Sequence, residues 1–255
     1  MTIRLRQLAA GVCCVLLLCA VARAGILFDG VDDGVDANSG TTLMNYTTTG
    51  FTASCWALFA TAKSADLVSR DGVSTGWNLA CNTAPRINAF TRGTGDAQTT
   101  SDTALSFSEW HHVAMTYSGT SGSREIFVDG ESDVTPESYS GSIASSTLDV
   151  WIGNRPDEGG TREFSGQIED VRVYSRVLSA AEIATLYTHG RRRANKRIGG
   201  ALAQDLDGHW EMHDRAIGTD SAGGANVMDT SGNNNHGTPV DGADGSMVYT
   251  EPANN

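Results

Sequence analysis

The chain has 255 residues, with 18 basic and 30 acidic side chains and a formal net charge of −12. An acidic excess of this size excludes nucleic-acid phosphates and anionic membrane surfaces as natural partners and leaves calcium, neutral sugars or basic proteins. The length suits one large β domain with additions.

The N-terminus reads as a targeting segment. Arg4 and Arg6 precede a short apolar run over 8–21, and Ala22-Arg23-Ala24 is a small-x-small cleavage site. Residues 1–24 therefore read as a secretory signal peptide, and Gly25 is the expected first mature residue. The apolar run is too short to span a bilayer comfortably, and no later stretch stays apolar for about 18 residues, so no membrane insertion is expected after cleavage. The predicted location is secreted, extracellular or periplasmic. Cleavage removes three arginines and no acid, so 15 basic residues face 30 acids and the net charge becomes −15. Cys13, Cys14 and Cys19 leave as well. Cys55 and Cys81 remain in an oxidising compartment and are expected to pair. Such a disulfide would close a loop of about 25 residues and stabilise by roughly 3 kcal/mol. The alternative is two buried thiols on opposite faces.

Beyond Gly25, short alternating runs separated by Gly, Ser, Thr, Asn and Asp predict many antiparallel strands. Candidate strands are 26–28, 51–59, 76–81, 86–91, 111–117, 125–128, 148–152 and 167–174. Val113, Met115 and Tyr117 share one face of their strand, and Asp129-Gly130 marks a hairpin turn. One helix is expected. Ser179-Ala180-Ala181-Glu182 is a capping box, Ile183, Leu186 and Tyr187 form an apolar stripe, and Gly190 is the expected stop. The run 191–197 is the one basic cluster, read as a solvated connector within a linker over 191–200. Residues 201–255 form a C-terminal extension.

Several stretches resemble laminin G-like jelly-roll domains of the concanavalin A-like lectin/glucanase group. Trp110-His111-His112-Val113-Ala114-Met115-Thr116-Tyr117, followed by Ile126-Phe127-Val128-Asp129-Gly130, is similar to the central hairpin of that family. The closing segment is matched by Phe164-Ser165-Gly166-Gln167-Ile168-Glu169-Asp170-Val171-Arg172-Val173-Tyr174 and then Arg176-Val177-Leu178-Ser179. Leu27-Phe28-Asp29-Gly30 resembles the opening strand. The likeness covers about 25–190 and implies an all-β, two-sheet antiparallel jelly-roll sandwich with one short C-terminal helix. Trp56 and Trp110 match core positions of the family. The extension, through Leu206-Asp207-Gly208-His209-Trp210 and Asp229-Thr230-Ser231-Gly232-Asn233, resembles the family's first strand and loop. It reads either as a permuted strand or as a truncated second repeat.

The fold also hosts glycosidases, so function must come from residues. A retaining glucanase needs two carboxylates about 5 Å apart on one strand face. Glu131-Ser132-Asp133-Val134-Thr135-Pro136-Glu137 has the wrong spacing and a strand-breaking proline, and adjacent Glu169 and Asp170 face opposite ways. No catalytic residue is assigned, and the chain is expected not to be an enzyme. His209, Glu211 and His213 would share a strand face, but without His-Glu-x-x-His they read as a sheet strand. Calcium suits the oxygen-rich turn holding Asp29, Asp32 and Asp33; by resemblance Asp29 and Asp170 are its expected ligands, and turn-capping is the alternative for these acids. Trp77, Trp151 and Tyr46 lie nearer loop ends and are the candidate sugar platforms. The segments 66–76, 92–102 and 154–163 carry the polar residues such a site would use. Asn45-Tyr46-Thr47 is a glycosylation sequon. The reading is a secreted, non-catalytic, calcium-assisted module that binds a glycan or an extracellular protein; a structural matrix role is the alternative.

Overall fold

The computed structural model describes residues 25–37, 44–72, 74–93, 97–119, 121–135, 137–138, 142–155, 161–192, 199–212, 227–241 and 247–249. Residues 1–24, the expected signal peptide, and most of the expected linker over 191–200 lie outside them. In chain order the strands are β1 (Ile26–Asp29), β2 (Gly34–Asp36), β3 (Phe51–Phe59), β4 (Ala65–Gly72), β5 (Thr75–Cys81), β6 (Ile87–Arg92), β7 (Ala97–Thr100), β8 (Trp110–Ser118), β9 (Ser123–Val128), β10 (Glu131–Ser132), β11 (Glu137–Ser138), β12 (Trp151–Ile152) and β13 (Ser165–Tyr174). Helix α1 (Ala180–Arg192) and a 3-10 turn (Gly200–Ala203) follow, then β14 (Leu206–Trp210), β15 (Thr238–Val240) and β16 (Val248–Tyr249).

Two antiparallel sheets result, as a jelly roll requires. One runs β10-β9-β8-β3-β13-β1-β16, with β11 also on β9 and β14 also on β13; the other runs β15-β2-β12-β4-β5-β6-β7. The alternation of apolar residues explains why the sheets face each other. Phe51, Ala53, Cys55, Ala57 and Phe59 of β3, with Val113, Met115 and Tyr117 of β8, point into a core that Trp77, Leu79, Ile87 and Ala89 fill from the opposite sheet.

The C-terminal extension belongs to both sheets. Along one flank of β13, β1 pairs with Ser165–Ile168 and β14 takes over from Val171 to Tyr174. Between them β13 bulges, with Asp170 at φ 54°, so the two partners need not share one continuous register. On the other sheet β15 forms the edge beside β2. Trp210, Met212, Val227 and Met247 are all buried in the common core.

Helix α1 covers the outer side of the larger sheet, where Leu178, Ile183 and Leu186 join Ala114, Phe127 and Tyr174 in a second, smaller core. Its start is the predicted capping box: the Ser179 amide donates to Glu182 Oε2 at 2.9 Å and the Glu182 amide to Ser179 Oγ at 3.4 Å. Arg176 donates to Glu182 Oε1 at 2.8 Å, which with the serine bonds draws the carboxyl down to about 2. The expected stop at Gly190 is corrected, since the helix continues to Arg192. Gly190 serves contact instead: a Cβ there would stand 2.2 Å from Trp56 Nε1. The tryptophan is buried as expected, but on the outer side of its sheet, stacked on Tyr187 of α1 with ring centroids 5.5 Å apart.

The expected disulfide is also corrected: Cys55 and Cys81 are both buried free thiols. Cys55 lies on β3 and Cys81 on β5, in opposite sheets. Their side chains enter the shared core from facing sheets, and burial raises both thiols, which disfavours the thiolate that pairing requires. Among the described residues no helix is long and apolar enough to cross a membrane.

Candidate functional site

The outer face of the seven-stranded sheet gathers the polar side chains that the core excludes. Val68 and Arg70 of β4 stand on the inner side beside Leu79 and Trp77, so Ser69 and Asp71 point outward. A regular strand would send Asp66, five residues before Asp71, to the opposite face. A register shift between Asp66 and Val68 restores it to the outer one, opposite Ala80. The irregularity thus sets two carboxylates on one face at a spacing that alternation forbids, which is why no carboxylate-pair pattern reveals them.

The pair is built into a charge-balanced floor. Asn78 Nδ2 donates to both oxygens of Asp66 at 3.2 Å and to Asp71 Oδ2 at 2.9 Å. Arg155, from the loop after β12, bonds Asp71 through Nη1 and lies 3.6 Å from Asp66 through Nε. Arg92 Nε donates to Asp71 at 2.8 and 3.0 Å. Burial pushes the Asp66 carboxyl up from 3.8 to about 7, against the pull of Arg155 and Arg162. A retaining hydrolysis would need both carboxyls at the sugar. Asp66 and Asp71 are 0% and 1% exposed and held by Arg155, so in this arrangement they are a floor and not an open acid–nucleophile pair.

Half-buried aromatics flank that floor. Trp151 of β12 pairs with Asp36 on one side and Ser69 on the other; Ser69 pairs with Asn78, Asn78 with Phe90, and Phe90 with Gln98. These residues form one row across the strands. Trp151 lies against Gly34, where a Cβ would come 3.2 Å from its ring. At the other end the Arg92 guanidinium sits 5.0 Å from the centroid of Phe90. The three segments singled out by composition, 66–76, 92–102 and 154–163, therefore converge through Asp66, Asp71, Arg92 and Arg155, although the first is strand β4 and its hairpin to β5.

Of the three predicted sugar platforms only Trp151 stands on this face. Trp77 is corrected to a core residue: it is fully buried and its indole N–H donates to Met44 O at 3.1 Å. Tyr46 is corrected likewise, stacked on Phe51 at 4.9 Å with its hydroxyl donating to Asp207 at 2.7 Å. Both rings pack on Phe51 of β3 inside the shared core, Trp77 with its centroid 4.8 Å away. The adjacent Asn45 amide is engaged, donating to Ser145 Oγ and Ser146 O.

The acidic turn lies beside this face. Ligand oxygens of Asp29, Asp32 and Asp33 all fall within 4.8 Å of one another, a donor set of the hard-oxygen kind calcium takes. Some of these oxygens also cap the turn: the Asp29 amide donates to Asp33 Oδ2 at 2.8 Å and the Val31 amide to Asp29 Oδ1 at 2.7 Å. Asn154 Nδ2 donates to Asp33 O at 3.0 Å while Asn154 O accepts from Ser69 at 2.9 Å, linking turn and face. Asp170 does not join Asp29. β1 pairs Asp29 with Ser165, leaving Asp170 five residues, or roughly 17 Å, farther along β13. There Arg172 Nη2 lies 2.8 Å and His209 Nε2 2.8 Å from Asp170 Oδ1. His209 also meets Thr230 Oγ1 through Nδ1 at 2.7 Å, a bonded network in place of a metal site. His213, the third residue of the strand-face set His209, Glu211 and His213, lies outside the described residues.

The architecture and this face define a jelly-roll sandwich whose smaller sheet carries, on its outer side, a buried polar network flanked by half-buried aromatics. The chain belongs to the concanavalin A-like lectin/glucanases superfamily, whose family pattern matches residues 29–184. It is similar in fold to a Bacteroides ovatus protein provisionally classed as carbohydrate-binding, at TM-score 0.65 and 17% identity, over 91% of this chain and 61% of that one. It also resembles the CBM40 of a Ruminococcus gnavus IT-sialidase bound to α2,3-sialyllactose (TM-score 0.52, 17% identity, 66% of this chain and 98% of that one). A heptameric pentraxin of Limulus polyphemus aligns at TM-score 0.50 and 14% identity over 70% and 86% of the respective chains. In sequence, 96 residues are 28% identical to a pentraxin fusion protein of Xenopus laevis, covering 36% of this chain and only 23% of that relative.

Proposed function

We propose that this protein is an exported, non-catalytic module that binds a glycan on the outer face of its seven-stranded sheet, with calcium held at the Asp29–Asp32–Asp33 turn. The observation that carries the reading is the Trp151 ring standing half-buried beside a floor of Asp66, Asp71, Asn78 and arginines. Sugar rings stack apolar faces on aromatics, which the half-buried Trp151 offers, while the half-buried Arg92 is the charged group of this face within a ligand's reach and the buried network of Asp66, Asp71, Asn78 and Arg155 supports both. The carboxylates are occupied by arginine and amide donors, which favours binding over hydrolysis. Glycan binding by the Ruminococcus gnavus module, on a similar fold, supports the same use of this one.

Calcium would take the carboxylates of the acidic turn and, through Asn154, steady the edge of the face. The test is a broad glycan array run on residues 25–255 in calcium and again in EDTA, with Trp151→Ala beside the wild type. Binding lost with Trp151→Ala supports the face as the site, and binding lost in EDTA supports the calcium turn. Absence of any bound glycan in both conditions would overturn the reading in favour of a protein partner.

A further inference from the structure

Apart from the glycan face, we propose that Ser106 is a nucleophilic serine, primed by His111 and Asp129, that accepts an acyl group from a carboxylic ester. His111 stands near the start of β8, Asp129 in the turn that follows β9, and Ser106 in the loop that leads from β7 to β8. Ser106 Oγ lies 2.9 Å from His111 Nε2, and His111 Nδ1 lies 2.9 Å from Asp129 Oδ2. A Ser-His-Asp triad activates its hydroxyl through these same contacts in this same order, and it is recognised by geometry rather than by spacing in the chain.

The hairpin fixes the carboxylate. The Asp129 amide donates to His112 O at 2.8 Å and the His112 amide to Asp129 Oδ1 at 2.9 Å, which leaves Oδ2 for His111. Against burial, which pushes it up, bonds from His111 and the His112 amide hold the Asp129 carboxyl below its usual range, so it is ionised and can only accept. His111 Nδ1 therefore carries the proton, and in the neutral ring the lone pair of Nε2 faces Ser106. The serine loop is pinned on both sides. The Leu105 amide donates to Pro85 O and the Ser108 amide to Phe59 O, each at 3.0 Å, with Leu105 buried and Ser106 exposed. Ser106 Oγ also meets Glu109 Oε2. One hydroxyl proton thus has two acceptors, so a base stands at Oγ whichever way the hydroxyl turns, and an imidazole is a stronger base than a carboxylate. Phe107, the next residue and 41% exposed, offers the acyl group an apolar surface. In the step itself Ser106 Oγ attacks the ester carbonyl while its proton passes to His111 Nε2. The bond from the carbonyl carbon to the leaving oxygen breaks, that oxygen takes the proton from His111, and an acyl ester remains on Ser106. The outcome is one covalent modification of the chain, and it asks nothing of the carboxylates on the glycan face.

The experiment incubates residues 25–255 with p-nitrophenyl butyrate, follows nitrophenolate release, and locates the butyryl group by peptide mass spectrometry. A burst of one equivalent is expected, with the butyryl group on Ser106. Ser106→Ala, a change at an exposed position, should abolish the burst. His111→Gln should slow it about a hundredfold or more, and Asp129→Asn should slow it in the same direction, with the melting temperature kept as the control for folding. Equal release by wild type and Ser106→Ala would overturn the proposal, as would a butyryl group found only on lysines or the N-terminus. Acylation of Ser106 that His111→Gln leaves unchanged would overturn it equally, because the serine would then be an ordinary exposed hydroxyl. None of these outcomes bears on the glycan array, so either reading can fail alone.

Discussion

Replacing Trp210 with alanine tests whether the C-terminal extension is a structural part of the sandwich. Trp210 lies on β14, is 0% exposed, and donates its indole N–H to Asn235 O at 2.7 Å. Its ring packs over Gly208 and next to Met44: a Cβ on Gly208 would meet the indole at 2.3 Å and the Met44 methyl at 2.8 Å. A buried tryptophan removes about 150–250 Å² from water, which at about 25 cal/mol per Å² is roughly 4–6 kcal/mol as an upper bound. Loss of the indole donor leaves a buried carbonyl short of a partner, at about 1 kcal/mol or more. Incomplete collapse around the vacated volume keeps measured tryptophan-to-alanine costs near 3–5 kcal/mol. We therefore expect a loss of about 4 kcal/mol and a melting temperature lower by roughly 8–16 °C in a chain of this size. Urea unfolding followed by circular dichroism measures it, with an unchanged slope showing that the transition remains the same one. A loss below about 1 kcal/mol would refute the reasoning, because an appendage that merely touches the domain gives up little when its tryptophan is removed.

Three further outcomes follow from the same structure. Asp66 titrates near 7 in the fold against 3.8 when unfolded, so the native state holds its proton more tightly and its contribution is present below about 3.8 and lost as pH rises through 7. His209, buried and lowered from 6.5, acts in the opposite sense; the stability difference between Asp66→Asn and wild type isolates the carboxyl, and it should shift in favour of the variant from pH 4 to 7, whereas a flat difference would count against a buried Asp66. Burial raises the Cys55 thiol above its ordinary range and the Cys81 thiol to about 12, so native protein should resist alkylation and denatured, unreduced protein should take up label at both; a denatured chain that takes none carries a disulfide. Ser179→Ala removes one half of the capping box and should cost about 1 kcal/mol by thermal melting, with no change pointing to a helix held by its packing alone.

Much of the fold is legible in the chain because its signals are local. The alternation in β8, the Asp129-Gly130 turn and the Ser179–Glu182 cap each arise among residues a few positions apart, and each is found where its pattern predicts. The helix end is not, because Gly190 is selected by its distance from Trp56, a residue more than a hundred positions away. The same limit separates Tyr46 and Trp77 from Trp151. All three have similar surroundings in sequence, but two face the opposite sheet and one faces outward.

The sequence by itself determined an acidic β chain of alternating strands with one capped helix, since charge, period and capping depend on composition and near neighbours. It also singled out the acidic turn, whose three aspartates lie within five residues of one another. Only the tertiary structure decided that Asp29 and Asp170 lie apart, that Cys55 and Cys81 stand in opposite sheets, and that Asp66, Asn78, Arg92 and Arg155 meet on one face. Those relations depend on strand order, on register and on one β-bulge in β4. Each is set by how the two sheets bury their shared core, and none is carried by a residue and its immediate neighbours.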